Sequence, residues 1–190
     1  MLAFASMNCI TGAVPITLVS HPQTPSQAIQ GIDVLVGVTP GDTLTLAFVL
    51  ECNLSSICIP EPRGSRCAGG LWRHTCFEAF VMAGEGPGYH EFNFSPSGEW
   101  AVYGFRGYRD GGKLETELAP KIVVRRTTNR LELEAQISRD FLPQGRPLRL
   151  GLSAVVEDAD GVLSYWALQH PPGKPDFHHA DSFAMQLARP

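Results

Sequence analysis

The stretch LWRHTCFEAFV, residues 71–81, carries Trp72, Arg73, His74, Cys76 and Glu78 inside an otherwise apolar run. In an extended strand, Trp72, His74, Cys76, Glu78 and Phe80 would share one face, with Arg73, Thr75, Phe77 and Ala79 on the other. Glu78 sits between Cys76 and Phe80, a position that implies burial, and a buried carboxylate is costly unless it is hydrogen-bonded or ion-paired. It is therefore either a structural group paired with an arginine or an acceptor aimed at a ligand beside an aromatic platform. In YHEFNFSPSG, Glu91 and Asn93 alternate with His90, Phe92 and Phe94. They form a polar face next to Glu78 if the two strands pair. The segment SYWALQHPPGKPDFHHADSFAMQL places Tyr165 and Trp166 in a short strand. A loop stiffened by prolines follows, with His170, Lys174, Asp176, Phe177, His178, His179 and Asp181, and such a loop makes a plausible binding lip.

Three chemistries compete for these residues. A metal site would draw on His178, His179 and Asp181 with His74 or His170, but adjacent histidine side chains diverge and no HxH, HExxH or Cys/His spacing supports it. A nucleophilic Cys76 beside His74 lacks an orienting acid and an oxyanion hole, and a buried thiol is the default for such a cysteine. A sugar or similar polyol needs aromatic faces for its C–H patches and carboxylates, amides or histidines for its hydroxyls. Trp72, His74, Glu78, Asn93, Trp166, Phe177 and His178 have that mixture of types. The expectation is a non-catalytic binding domain rather than an enzyme, with no metal.

The elements that must position these residues read as strands. Ile32, Val34, Val36 and Val38 alternate with Asp33, Leu35 and Gly37, and Leu44, Leu46, Phe48 and Leu50 follow the turn signal TPGD. RLELEAQI puts Leu131, Leu133, Ala135 and Ile137 on one face and Glu132, Glu134 and Gln136 on the other. Turn clusters such as GEGPG, SPSGE, RDGGK, EDADG and HPPGKPD separate such runs, which amount to about nine to eleven short strands. SPSG predicts a hairpin, and SRDFLPQG a single helical turn capped by Ser138 or Asp140 and ended by Pro143. The reading is one all-β domain over residues 1–190, an antiparallel β-sandwich of jelly-roll or immunoglobulin-like type.

Composition narrows the partners. The chain has 190 residues, 44% hydrophobic, with a formal net charge of −4 and no basic run, so it lacks the electrostatic footprint of a nucleic-acid binder. No apolar run reaches the ~20 residues of a membrane-spanning helix. The opening MLAFASMNCITGAVPITLV is mildly apolar, but the first Lys or Arg is Arg63, so the basic start of an export signal is missing. Five cysteines, odd in number and without a CxxC, fit free thiols in a reducing cytoplasm; a Cys58–Cys67 disulfide is the alternative.

At the blocks LWRHTCFEAFV, YHEFNFSPSG, LGLSAVVEDADG and YWALQHPPGKPDFHHADSFAMQL the sequence resembles DOMON-like proteins, and more distantly the family 9 carbohydrate-binding modules. The likeness spans roughly residues 40–190. It implies a β-sandwich with a ligand site on one face or edge, where two aromatics clamp a sugar. The matching positions are Trp72 and Phe177, with Glu78 as the strand acid and Asn93 near the polar residue of the next strand. Thr75 stands where that pattern has an acid, and Phe177 where it has a second Trp. The same superfamily includes haem-binding domains, whose axial ligands here would be Met82 or Met185 with His74, His170 or His178. Haem is thus the alternative to a cofactor-free sugar site, and a protein-interaction sandwich without a ligand is the third reading.

Overall fold

The computed structural model describes residues 15–39, 41–145 and 147–187. Most of the opening segment read for an export signal, with Cys9, lies outside the described residues. Period-two alternation has become strands throughout. In chain order they are Ile16–Thr17 (β1), Val19–Ser20 (β2), Ile29–Thr39 (β3), Thr43–Cys52 (β4), Arg66–Cys67 (β5), Cys76–Ala83 (β6) and Tyr89–Phe94 (β7). Then come Glu99–Gly107 (β8), Asp110–Lys113 (β9), Lys121–Arg126 (β10), Arg130–Ile137 (β11), Leu148–Glu157 (β12), Leu163–Ala167 (β13) and Met185–Gln186 (β14). The number exceeds the expected one because two-residue strands such as β1, β2, β5 and β14 leave no alternation to read. The helical turn expected near Ser138 is present as the 3-10 turn Arg139–Phe141, although the Ser138 side chain makes no capping hydrogen bond.

Two sheets form a sandwich. One has the order β1-β3-β4-β11-β10; the other runs β2-β13-β12-β6-β7-β8-β5, with β14 beside β12 and β9 beside β8. All of these pairings are antiparallel except the short β5–β8 contact. Leu44, Leu46, Phe48 and Leu50 of β4 and Leu131, Leu133, Ala135 and Ile137 of β11 face inward. They meet Phe77, Ala79 and Val81 of β6, Phe92 and Phe94 of β7, and Leu150, Leu152 and Ala154 of β12. The Phe48 and Phe77 rings join the two layers, 5.0 Å apart at their centroids. Trp100 and Trp166 also lie in this inter-sheet core.

The β7–β8 hairpin expected at SPSG is present. Ser95 N–H donates to Glu99 O, Gly98 N–H donates to Ser95 O, and Phe94 pairs with Trp100. Gly98 has φ +89 and lies against the Gly64 backbone, where a Cβ would be tightly placed as well as strained. The described cysteines 52, 58, 67 and 76 are free thiols, so Cys58 and Cys67 are not joined. Among the described residues no helix is long and apolar enough to cross a membrane.

Because Phe48 is wholly buried at the junction of the layers, Phe48→Ala should cost about 3–5 kcal/mol. Urea denaturation of the two proteins, compared at unchanged m-value, checks this.

Candidate functional site

The nine-stranded sheet has a second face, turned away from the core, and the ladder register assembles a site there. Glu78 of β6 pairs with Asn93 of β7 and Ser153 of β12, Phe80 pairs with Glu91, and Glu91 pairs with Tyr103 of β8. Side chains two residues apart share a face. Glu78, Phe80, Glu91, Asn93, Tyr103, Phe105, Ser153, Val155 and Tyr165 therefore all project to the same side. Over them lies a cavity of about 400 Å³. Glu78, Phe80, Glu91 and Val155 line it from the sheet, Tyr103 and Phe105 from the β8 side, and Tyr165 from the β13 side. Segments outside the ladder complete the walls with Trp72, Arg109, Pro175, Phe177 and His178.

The 3-10 turn Leu71–Arg73 holds Trp72. This turn packs against β6, β7 and β8 and begins after Gly70, whose φ is +75. Trp72 is 47% exposed, with the Arg73 guanidinium 5.1 Å from its ring. Phe177 comes from the opposite side, its ring 6.0 Å from Tyr165 and 6.4 Å from Phe80. Its loop is fixed by Asp176. Tyr108 Oη donates to Asp176 Oδ2 at 2.6 Å, and Arg109 Nη2 and the His178 N–H donate to Oδ1 at 2.9 and 3.1 Å. Burial pushes the Asp176 carboxyl up, but the hydrogen bonds from Tyr108 and Arg109 outweigh it and hold it below its ordinary value. The following 3-10 turn, Ala180–Ser182, crosses close to β12 at Gly151, where a Cβ would come within 2.9 Å of Ser182 O.

The polar groups at the floor form a chain. Asn93 Nδ2 donates to Glu91 Oε1 at 2.7 Å, and Ser153 Oγ donates to Glu78 Oε2 at 3.3 Å. Asn93 Oδ1 is buried and without a partner. Glu78 and Glu91 are 3% and 6% exposed. Burial, then the charge of Glu91, holds the Glu78 carboxyl well above the usual range. Burial pushes Glu91 up to about 7, against the opposing effects of the Asn93 hydrogen bond and the Arg109 charge. His178 sits among Phe80, Tyr89 and Phe105. Burial, then Arg109, lowers its imidazole to about 4. The Arg109 N–H donates to Tyr89 Oη, so the hydroxyl hydrogen is free to donate to His178 Nδ1 at 2.8 Å. Neutral His178 then carries its proton on Nε2, 3.7 Å from Glu91 Oε2 and beyond hydrogen-bond range.

Of the residues singled out from sequence, Trp72, Glu78, Phe177 and His178 line the cavity, and Asn93 supports its floor. Two are placed elsewhere. Strand β6 begins only at Cys76, so Trp72 and His74 do not continue its face; His74 ends the 3-10 turn and pairs with Glu157 at 2.7 Å, outside the cavity. Trp166 faces the other sheet and donates its Nε1–H to Ser164 Oγ, while its neighbour Tyr165 faces the cavity. Sequence reasoning left out Tyr103, Phe105, Arg109 and Tyr165; the alternation around Glu91 was the available signal for Tyr103 and Phe105. Cys76 is fully buried, and burial, then the charges of Glu78 and Glu91, pushes its thiol well above its ordinary value, the reverse of an activated nucleophile.

The donor set does not fit an axially ligated haem. Of Met82, Met185, His74, His170 and His178, only His178 lines the cavity, so no two of them face one another across it. Met82 faces the Arg149 guanidinium, and His170 Nε2 donates to Val19 O. Among the described residues no group of three or more His, Cys, Asp or Glu is arranged to hold a metal ion.

No family model matches the chain, and no curated protein matches its sequence. Among solved structures it aligns with a candidate carbohydrate-binding protein from Bacteroides uniformis ATCC 8492, with TM-score 0.66 and 15% identity over 88% of this chain and 81% of that one. It also aligns with a family 9 carbohydrate-binding module from Caldicellulosiruptor kristjanssonii in complex with cellotriose, with TM-score 0.51 and 8% identity over 86% and 76% of the two chains. At such identities the likeness is one of fold, and the resemblance to family 9 modules holds at that level.

Glu91 and His178 act in opposite directions on stability. The Glu91 carboxyl lies higher in the folded chain than unfolded, so its contribution is complete below about pH 4.3 and is lost as pH rises through about 7. The His178 imidazole lies lower, so its contribution is complete above about 6.5 and is lost as pH falls through about 4. The two partly cancel in the wild-type curve. Subtracting that curve from the curve for Glu91→Gln should isolate the carboxyl. The variant should gain on the wild type by roughly 1 kcal/mol per pH unit between pH 5 and 7, as measured by urea unfolding. A flat difference would refute the buried, proton-holding carboxyl.

Proposed function

We propose that this chain is one non-catalytic binding domain of DOMON-like type for a mono- or disaccharide or sugar derivative. One observation carries the reading: an aromatic-walled cavity of about 400 Å³ with polar groups converging on its floor. Trp72, Tyr103 and Phe105 on one side and Tyr165 and Phe177 on the other offer flat apolar surfaces for the C–H faces of a pyranose ring. Glu78, Glu91, His178 and Arg109 offer donors and acceptors for its hydroxyls. A protonated Glu78 can donate as well as accept, which suits a hydroxyl group that does both. The cellotriose complex of the similarly folded family 9 module lends support, since that scaffold carries a sugar site in another protein.

The three tryptophans make the test selective. Trp72 is half-exposed at the cavity, whereas Trp100 and Trp166 are core residues. Titration with a panel of mono- and disaccharides should give saturable quenching of Trp72 fluorescence. Trp72→Ala should abolish the signal and weaken binding, by calorimetry, about tenfold or more. Trp166→Phe should leave affinity unchanged. Absence of saturable heat with every sugar would sink the reading.

A further inference from the structure

The floor of the cavity is more acidic than a neutral polyol needs. Glu78 and Glu91 are both more than nine-tenths buried, share one face of adjacent strands, and line one cavity. Among the described residues, neither forms an ion pair with an arginine or lysine. Arg109, the guanidinium on the rim, is held by Asp176 at 2.9 Å, and His178 stands 3.7 Å from Glu91 with its imidazole kept neutral by burial. Asn93, on the same face, gives its amide hydrogen to Glu91 and leaves its Oδ1 buried without a partner. Around these acceptors stands a wall of aromatic rings, Trp72, Tyr103, Phe105, Tyr165 and Phe177 among them. Aromatic faces and carboxylates attract the same kind of group, a cation, and most strongly where water is excluded.

We infer that the preferred occupant of this cavity carries a protonated amine, as an amino sugar does, and that the ammonium group seats on the Glu78–Glu91 floor. The inference rests on the sugar reading above and specifies the ligand class. Its proton balance is simple. Without ligand, the carboxyl pair keeps protons because no cation offsets its charge. An arriving ammonium group supplies that charge, and a proton leaves the pair for solvent. Binding should therefore release protons and strengthen as pH rises from 6 toward 7.5, as Glu91 ionises more readily, until the ligand's own ammonium deprotonates. The other titratable or charged groups bearing on Glu91 are Glu78 and Cys76 from β6, Tyr89 from β7, Tyr103 from β8, Arg109, Asp176 and His178. Arg109 and Asp176 compensate each other, and His178, Cys76 and the tyrosines stay neutral in this range.

The experiment is calorimetric titration of the full chain with glucosamine, N-acetylglucosamine and glucose at pH 7. It is run in two buffers of different ionisation enthalpy and repeated at pH 6. Glucosamine should bind about tenfold more tightly than the other two, with proton release, and the preference should shrink at pH 6. Glu78→Gln and Glu91→Gln, near-isosteres of the protonated acids, should bring the ratio of the dissociation constants toward one; thermal melts confirm that both variants are folded. Glucose binding as well as glucosamine would overturn the amine inference and leave the sugar reading standing. Binding of none of the three, with saturable binding of other neutral sugars, would also overturn the inference alone. Failure with every sugar in the wider panel would remove both.

Discussion

Two carboxyl groups on adjacent strands, buried together and ion-paired with no arginine or lysine among the described residues, are the constraint on which the site depends. Water would solvate Glu78 and Glu91 better than this sheet face does, so the fold holds them only because the rest of the sandwich is stable enough to bear them. The opposite face of the same strands supplies that stability. Phe77, Ala79 and Val81 of β6 and Phe92 and Phe94 of β7 are buried against the second sheet, and each fully buried large side chain contributes about 1.5–3 kcal/mol. Strand alternation thus divides two adjacent strands into a half that anchors the fold and a half that lines the cavity. A one-residue slip between β6 and β7 would exchange the two.

The walls follow a different logic. Glu78, Glu91 and Asn93 are placed by the ladder, whereas Trp72, Phe177 and His178 are placed by turns and loops. Asp176 connects the two levels by joining the loop after β13 to the turn after β8 through Tyr108 and Arg109. Arg109 itself has φ +54, an uncommon conformation for a residue other than glycine. Its guanidinium bond to Asp176 and its N–H bond to Tyr89 hold it there. These bonds tie the rim of the cavity together, so a ligand held as proposed would cost less conformational entropy on binding.

The sandwich class, the inward faces of β4 and β11, the β7–β8 hairpin and the shared polar face of Glu91 and Asn93 were legible in the sequence. Period-two patterning is a local property, and a tight turn fixes register. What it could not locate was where the pattern starts. Residues 71–75 read as a continuation of β6, but Gly70 in a left-handed conformation begins a 3-10 turn there, which separates His74 from the cavity while leaving Trp72 at its edge. In SYWA either aromatic could have been the exposed one. Only the pairing of Trp166 with Ala154 and Tyr165 with Val155 decides between them, and that register is set by the five-residue turn 158–162 between β12 and β13. Arg109 was silent because nothing near it in sequence points to its partner Asp176, 67 residues on.

The division between a ladder-borne floor and loop-borne walls also bears on how such a site can change over evolutionary time. The turn 71–73 and the loop 169–178 lie outside the core, so substitutions there alter the shape of the mouth without disturbing the inter-sheet packing. Replacements on the floor face strand neighbours on both sides and are constrained by the ladder. A lineage built on this scaffold can therefore diversify its rim quickly while inheriting its floor, and related chains should differ first in which ligands they admit and only later in the chemical groups that meet them at the bottom.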